Sequence, residues 1–407
     1  MGIGDRFGKQ GEAQLQAMMT AKSHGLEIVP VWNKSFREHQ IIGTSPGSVR
    51  READEAVKHL GWGNAYYVDA DHVNLSTVDP FIDSSDFFTL DVADAIGEKA
   101  EAGSIQEFIS AHPSLAGTIR MNDTDKPIQI TSDFLRHTVE KYLFAVQEAG
   151  RIYRTILHGK KGAFITEVSM DETDAPQSPQ ELLIILAMIH AEGIPAQTIA
   201  PKFSGRFNKG VDYIGDPARF AIEFEADLSV IQYAVKSFGL PENLKLSVHS
   251  GSDKFALYPV IRKALRKYES GVHLKTAGTT WLEELIGLAE AGEEGLEMAK
   301  EIYTTAYGRY DELCSPYASV IDIDKTQLPE PETVRQWEGT RYAGALRHDQ
   351  KHPDYNMHFR QLLHVGYKVA AEKGGAYLAM LDRYRDIVSR QVTENLLERH
   401  IKPLFFE

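Results

Sequence analysis

Residues 244–280, LKLSVHSGSDKFALYPVIRKALRKYESGVHLKTAGTT, constrain the fold of this chain more than any other stretch. Two short apolar runs, 244–248 and 271–274, each end in polar or ionisable side chains. His249, Ser250, Asp253 and Lys254 close the first; His273, Lys275 and Thr276 lie in or just after the second. A helical pattern separates the two. A parallel β-α-β unit reads this way when its chemistry sits at the carboxyl ends of the strands.

The same grammar recurs along the chain. Residues 65–69 run into Asp69-Ala70-Asp71-His72, residues 87–90 run into Asp91, residues 163–168 carry Glu167, and Lys202 follows residues 195–200. Helical segments lie between them. Residues 132–149 present Leu135, Val139, Tyr142, Leu143 and Val146 on one face. Ser178-Pro179-Gln180-Glu181 opens another helix, with Ser as cap, Pro in the first turn and Glu completing a capping box. Further helices are expected over 226–238, 280–291 and 298–307, and over most of 358–403 with a break at Gly374-Gly375. Short strands alternating with helices mean a parallel sheet covered by helices. Repeated along a chain of this length, they predict an α/β fold of the TIM-type (β/α)8 barrel class.

The weaker runs 26–32 and 40–43 read as a hairpin-like decoration. Residues 1–62 are therefore expected to be an N-terminal extension packed on the barrel, and residues 63–407 the catalytic barrel with its C-terminal helices. Runs 118–121 and 318–323 are candidates for additional strands. A doubly wound sheet is the runner-up, weakened by the lack of a Gly-rich phosphate loop after a strand. Gly2, Gly4 and Gly8 do not supply one, because no strand precedes them.

Charge and composition exclude several classes. The formal net charge is −14, and the 44 Lys and Arg residues are dispersed, which argues against a nucleic-acid partner. The single cysteine, Cys314, permits neither an intrachain disulfide nor a Cys-rich metal knuckle. No run approaches the ~18 apolar residues of a membrane span, and the polar start MGIGDRFGKQGEAQ has no apolar signal region. A cytoplasmic protein acting on a small molecule is expected, with no membrane partner; the oligomeric state, a homo-oligomer included, is left open.

In a barrel, strand-end side chains converge on one mouth. Glu167, His249 and His273 are then the candidate metal ligands, for a divalent ion such as zinc, manganese, cobalt or nickel. Asp71 and His72 sit where they can add to that set or hold substrate. Asp171 and Asp253 are the candidate acid–base carboxylates. Lys202, directly after an apolar strand, is the first candidate for a catalytic cation, with Lys254, Lys275 and Arg206 as substrate contacts. His358 joins them if the C-terminal segment folds over the mouth. Each has a plainer reading: a strand-end histidine is often a satisfied structural residue, and a loop lysine is often solvated. No GxSxG elbow is present, and Cys314 has no local support for thiolate activation.

At these residues the chain resembles a known family, the tagaturonate epimerases of bacterial hexuronate catabolism, some members of which act on neutral ketohexoses as tagatose 4-epimerases. The resembling blocks are YVDADHVNLSTVDPFI, DFFTLDVAD, FITEVSMDET, IAPKFSGRFNKGVDYIGD, KLSVHSGSDKF, VHLKTAGTTWLE, RQLLHVGYKVA and ENLLERHIKPLF, running from about residue 65 to the C-terminus. The resemblance implies a metal-dependent epimerase on a TIM-type barrel, interconverting tagaturonate and fructuronate or the corresponding ketohexoses. The inverted carbon lies β to the ketone, so enolisation does not acidify its hydrogen. Retro-aldol cleavage, rotation of the aldehyde and re-addition is the expected route, since no credible nicotinamide fingerprint is present. A metal-dependent, class II-like sugar aldolase is the alternative, and a non-catalytic sugar-binding barrel a remote one.

Overall fold

A computed structural model of the chain describes residues 1–121 and 127–406. Ten strands are formed: β1 (Gly2–Gly4), β2 (Val31–Ser35), β3 (Tyr67–Val73), β4 (Phe87–Asp91), β5 (Gly117–Ile119), β6 (Ile128–Ile130), β7 (Ile165–Met170), β8 (Thr198–Pro201), β9 (Lys245–Val248) and β10 (Val272–Leu274). Eight of them make one parallel sheet in the order β1-β2-β3-β4-β7-β8-β9-β10, while β5 and β6 form a separate antiparallel ribbon. A parallel bridge between Ile3 and Ala277, with Ala277 N–H donating to Gly2 O at 2.7 Å, joins the first strand to the segment after the last. The sheet thereby closes on itself, and the fold is a TIM-type barrel.

The expected extension is corrected by this closure. Residues 1–62 supply β1 and β2, two of the eight barrel strands. The run at 40–43 is the end of a helix, Phe36–Ile42, not a strand. Ser35 caps that helix through a reciprocal box with Glu38 and Gly43 ends it at φ 73°, a turn that glycine enters without a Cβ clash. The Ser-Phe-Arg-Glu spacing at 35–38 is itself a capping-box signal.

Most other elements fall where the pattern puts them. Ser178 accepts from the Glu181 amide, and Glu181 accepts from the Ser178 amide at 2.8 Å. The helix expected to stop near Gly150 continues as Ser132–Gly159, because Ile152 and Ile156 extend its buried face. Residues 318–323 form no strand. Val320 O instead accepts from Lys209 N–H at 2.8 Å, and the segment lies across the barrel mouth.

The apolar interior divides in two. One cluster fills the space between the sheet and its helices. A second lies within residues 281–388, with Trp281, Tyr303, Tyr342 and Phe359 in it, and Phe7, Ile41 and Ile42 pack against it. The helices of this stretch form a cap inserted between β10 and the segment Asn395–Phe405, which returns to the barrel core through Leu396, Ile401 and Leu404. No helix among the described residues is long and apolar enough to cross a membrane.

Because β1 is a barrel strand and Ile3 is fully buried, Ile3→Ala is expected to cost about 2–5 kcal/mol in chemical denaturation. Removing residues 1–62 is expected to leave an unfolded chain by circular dichroism. A soluble, cooperatively folding chain of residues 63–407 would contradict this account of the barrel.

Candidate active site

Alternation along the strands decides which side chains reach the barrel interior. Neighbouring strands share facing, so Asn33 stands beside Asp69, Ser35 beside Asp71, Thr89 beside Glu167, and His273 beside Ser247. Strict alternation would not bring Asp71 and His72 to the same place. The register of β3 slips between Ala70 and Val73, and His72 takes φ 51°. The irregularity turns two consecutive residues toward the mouth. Ser250 and Thr276, just after His249 and Lys275, are also left-handed, at φ 48° and 57°. Such conformations persist where the surroundings over-determine them, as around functional sites. The mouth opens on a cavity of about 560 Å³.

Lys275 occupies its floor. The ammonium lies 2.9 Å from Asp69, 3.0 Å from Asp71 and 3.1 Å from Glu167, and it donates to the Thr89 hydroxyl. Lys275, Asp69 and Glu167 are almost wholly buried. Burial alone would favour neutral Lys275, but Asp69, Glu167 and Asp71 outweigh it and raise its pKa well above the usual lysine range. The residue is therefore a fixed cation and not an amine nucleophile for an imine. Burial pushes the Asp69 carboxyl up to about 7 against the pull of Lys275. For Asp71 burial acts the same way, but Lys275 and then His72 prevail and its pKa falls.

Above this floor His72, Asp171 and His249 offer one donor atom each, all within 4.8 Å of one another. Their surroundings fix which atoms these are. His72 Nδ1 donates to Asp91 Oδ2 at 3.1 Å, while Nε2 lies 3.9 Å from Asp71 Oδ1. His249 Nε2 donates to Glu167 Oε1 at 2.8 Å, and Nδ1 is turned the other way. Asp171 Oδ1 lies 3.0 Å from that Nδ1 and also accepts from Ser169 Oγ at 2.6 Å. The Nδ1 is buried and makes no well-aligned hydrogen bond despite the short separation. Two imidazoles, each oriented by a carboxylate on one nitrogen, and a third carboxylate close to both are the types of donor that can hold a divalent metal ion. Charge agrees with this. Burial opposes a positive His249, yet Asp171 and Glu167 push its pKa up to about 10, and the same carboxylates favour any cation at that point.

The sequence-predicted residues divide accordingly. Asp71, His72, Asp171, His249 and Lys275 all line the cavity. Glu167 is adjacent, but as the partner that orients His249 instead of as part of the three-donor group. His273 lies one residue pair below Lys275, stacked on Phe87 at 5.1 Å with Nε2 buried and unpartnered; it does not join the group, because the strand carries it deeper into the barrel.

The remaining expectations are corrected. Asp253 is fully buried outside the cavity, 3.0 Å from Arg360 Nη2, and flanked by His348 and His400 at 3.6 and 3.8 Å. Burial raises its pKa, but Arg360 foremost, then His348 and His400, hold it well below the carboxylate range, so it acts as a structural anion. Lys254 donates to the carbonyls of Asn208, Val211 and Ser252 at 2.8, 2.7 and 3.0 Å. Burial lowers it to about 8, but it ties loops together and reaches no substrate. Lys202 binds Thr173 O and Gln177 Oε1. Arg206 pairs with Asp322 at 3.2 Å on the exposed surface, and His358 accepts from Asp324 N–H at 3.0 Å. None of these four residues lines the cavity. Cys314 is buried, which raises its pKa to about 11 and keeps it a thiol.

Residues of the first two strands went unread. Asn33, Lys34 and Arg37, together with Arg6 and Lys209, line the cavity. Recognising β2 as a barrel strand would have found Asn33 and Lys34, and Arg37 follows on the helix Phe36–Ile42.

The model of the tagaturonate epimerase family matches residues 1–404. The tagaturonate/fructuronate epimerase of Thermotoga maritima is 28% identical over 380 residues, covering 90% of this chain and 72% of the relative. Crystal structures of the fructuronate-tagaturonate epimerase of Cohnella laeviribosi share the fold. The one-glycerol complex superimposes at a TM-score of 0.80 with 23% identity, covering 99% of this chain and 80% of the other, and the native form superimposes at 0.79.

Arg360→Met strips the buried Asp253 of its partner and is expected to cost about 3–5 kcal/mol at neutral pH, measured by urea denaturation. The Asp253 pKa is depressed in the folded state, so its contribution is complete above about pH 4 and fades as pH falls through the lower folded value. The gap between the variant and the unaltered protein is therefore expected to narrow in acid.

Proposed function

The chain belongs to the tagaturonate epimerase family and is an enzyme of the isomerase class; from that premise we propose that it interconverts tagaturonate and fructuronate at this mouth, with a divalent cation held by His72, Asp171 and His249. One observation carries the proposal: each histidine has one ring nitrogen held by a carboxylate, Asp91 or Glu167, and with Asp171 the two offer one donor atom each, all within 4.8 Å of one another. Zinc, manganese, cobalt and nickel all suit two imidazoles and a carboxylate. When bound, such an ion supplies Lewis acidity, polarising the substrate ketone.

The chain's own residues do the rest. Asp71 is a cavity-facing carboxylate whose Oδ1 lies 3.0 Å from the Lys275 ammonium, and in this reading it takes the proton of the hydroxyl on the inverted carbon. The oxygen's electron pair then forms the aldehyde carbonyl, the adjacent carbon–carbon bond breaks, and its pair passes to the ketone fragment. Lys275, held as an ammonium beside Asp71, stabilises the negative charge that develops there. The aldehyde turns its other face, the bond re-forms, and Asp71 returns the proton. No carbon-bound hydrogen is removed, which suits a carbon β to the ketone. Arg6, Lys34, Arg37 and Lys209 on the cavity wall favour a substrate that carries a carboxylate.

Elemental analysis of the purified protein is expected to find one equivalent of a divalent transition metal. Chelation is expected to abolish turnover of tagaturonate and re-addition of metal to restore it. His72→Asn and His249→Asn should each lower bound metal, while Asp71→Asn should keep the metal and lose activity by about 10²–10⁴-fold. Full activity of the metal-free His249→Asn protein would overturn the proposal.

A further inference from the structure

Asn33 is a buried amide in the mouth that none of these roles uses. It sits on β2 at an inward-facing position beside Asp69. The side chain is 3% exposed and lines the cavity. Its Nδ2 and its Oδ1 are both buried without a hydrogen-bond partner in the protein. Among the described residues it is the one side-chain amide with both ends in that condition.

The neighbouring strand is shaped around it. Where β1 faces the interior it carries only Gly2 and Gly4. A Cβ on Gly4 would lie 2.8 Å from Asn33 Oδ1, closer than packing allows. Gly4 has no positive φ among the chain's glycines, so space and not backbone conformation calls for glycine here. The barrel thus gives up side-chain packing on two successive interior positions, and the room adjoins an unpaired amide.

A buried amide without partners destabilises a folded protein, and leucine, whose side chain branches at the same carbon, removes that penalty. Local rules broken in this way mark functional positions. The amide also specifies its ligand. It offers two N–H donors and one carbonyl acceptor. A carboxylate would use only the donors and an ammonium only the acceptor. A hydroxyl both donates and accepts, and adjacent hydroxyls on a polyol chain engage both ends at once. We infer that Asn33 is a substrate-binding residue that reads hydroxyl groups of the sugar-acid chain, with Gly4 keeping the amide clear. The inference rests on the epimerase reading and adds to it the residue that recognises the polyol part of the substrate.

The test pairs affinity with stability. Asn33→Leu is expected to melt at the same temperature as the unaltered protein or higher, because it removes an unpaired polar group. Its KM for tagaturonate, and its Kd for tagaturonate by calorimetry, are expected to rise at least tenfold. Asn33→Ala, which adds no bulk, carries the same readout should leucine not fit. A residue with only a structural role would behave in the opposite way, with a lowered melting temperature and retained affinity, and that result overturns the inference. So does a KM within twofold of the unaltered protein. Unaltered protein that neither binds nor converts tagaturonate overturns the epimerase reading and takes this inference with it. Conversion by the unaltered protein beside an unchanged Asn33→Leu overturns the role of Asn33 alone.

Discussion

The ammonium of Lys275 is the contact on which the mouth depends. Asp69, Asp71 and Glu167 are buried within 2.9–3.1 Å of it. Carboxylates packed this closely without a cation would repel one another and take up protons. With Lys275 between them, the segment after β10 is tied to β3, β4 and β7 across the barrel interior. Glu167 stays ionised, its pKa held well below the carboxylate range although burial opposes this, and so remains able to orient His249. A structural ion cluster and a candidate catalytic site are therefore one object, and the cation that fixes the floor also shapes the charge above it.

The cap extends that arrangement outward. Arg360, on the helix Met357–Val365, reaches Asp253 in the loop after β9, and its other nitrogens bind Gly210 O and Leu346 O at 2.6 Å. Asp253 lies four positions beyond His249 and takes φ 63°. The cap core is separate from the barrel core, so this buried ion pair is one of the places where the cap's packing acts on the barrel's chemistry. His348 and His400, from two further segments, close around the same carboxylate.

Much of this was legible in the sequence because it follows from periodicity. The strands rich in apolar residues, the capping box at Ser178 and the break at Gly374 all carry local signals. The failures share a cause. β2 reads VWNKS, and its inward positions Asn33 and Ser35 are polar because they face the cavity; β1 faces inward with glycines alone. Strands that serve the cavity lose the hydrophobic pattern by which strands are recognised. The pattern leaves His72 open between a further ligand and a substrate contact, because the register slip that brings it beside His249 is invisible in a sequence. Asp253 and Lys254 look like strand-end chemistry until Arg360 and three backbone carbonyls, all distant along the chain, are seen to seal them.

The claim that organises this account is that the mouth moves a hydroxyl proton and breaks a carbon–carbon bond, leaving the hydrogen on the inverted carbon in place. Comparing turnover of tagaturonate carrying hydrogen or deuterium at that carbon tests it most directly. The account predicts rates that differ only by a small secondary effect. A several-fold slowing by deuterium would contradict it, because both deprotonation and hydride transfer break that bond.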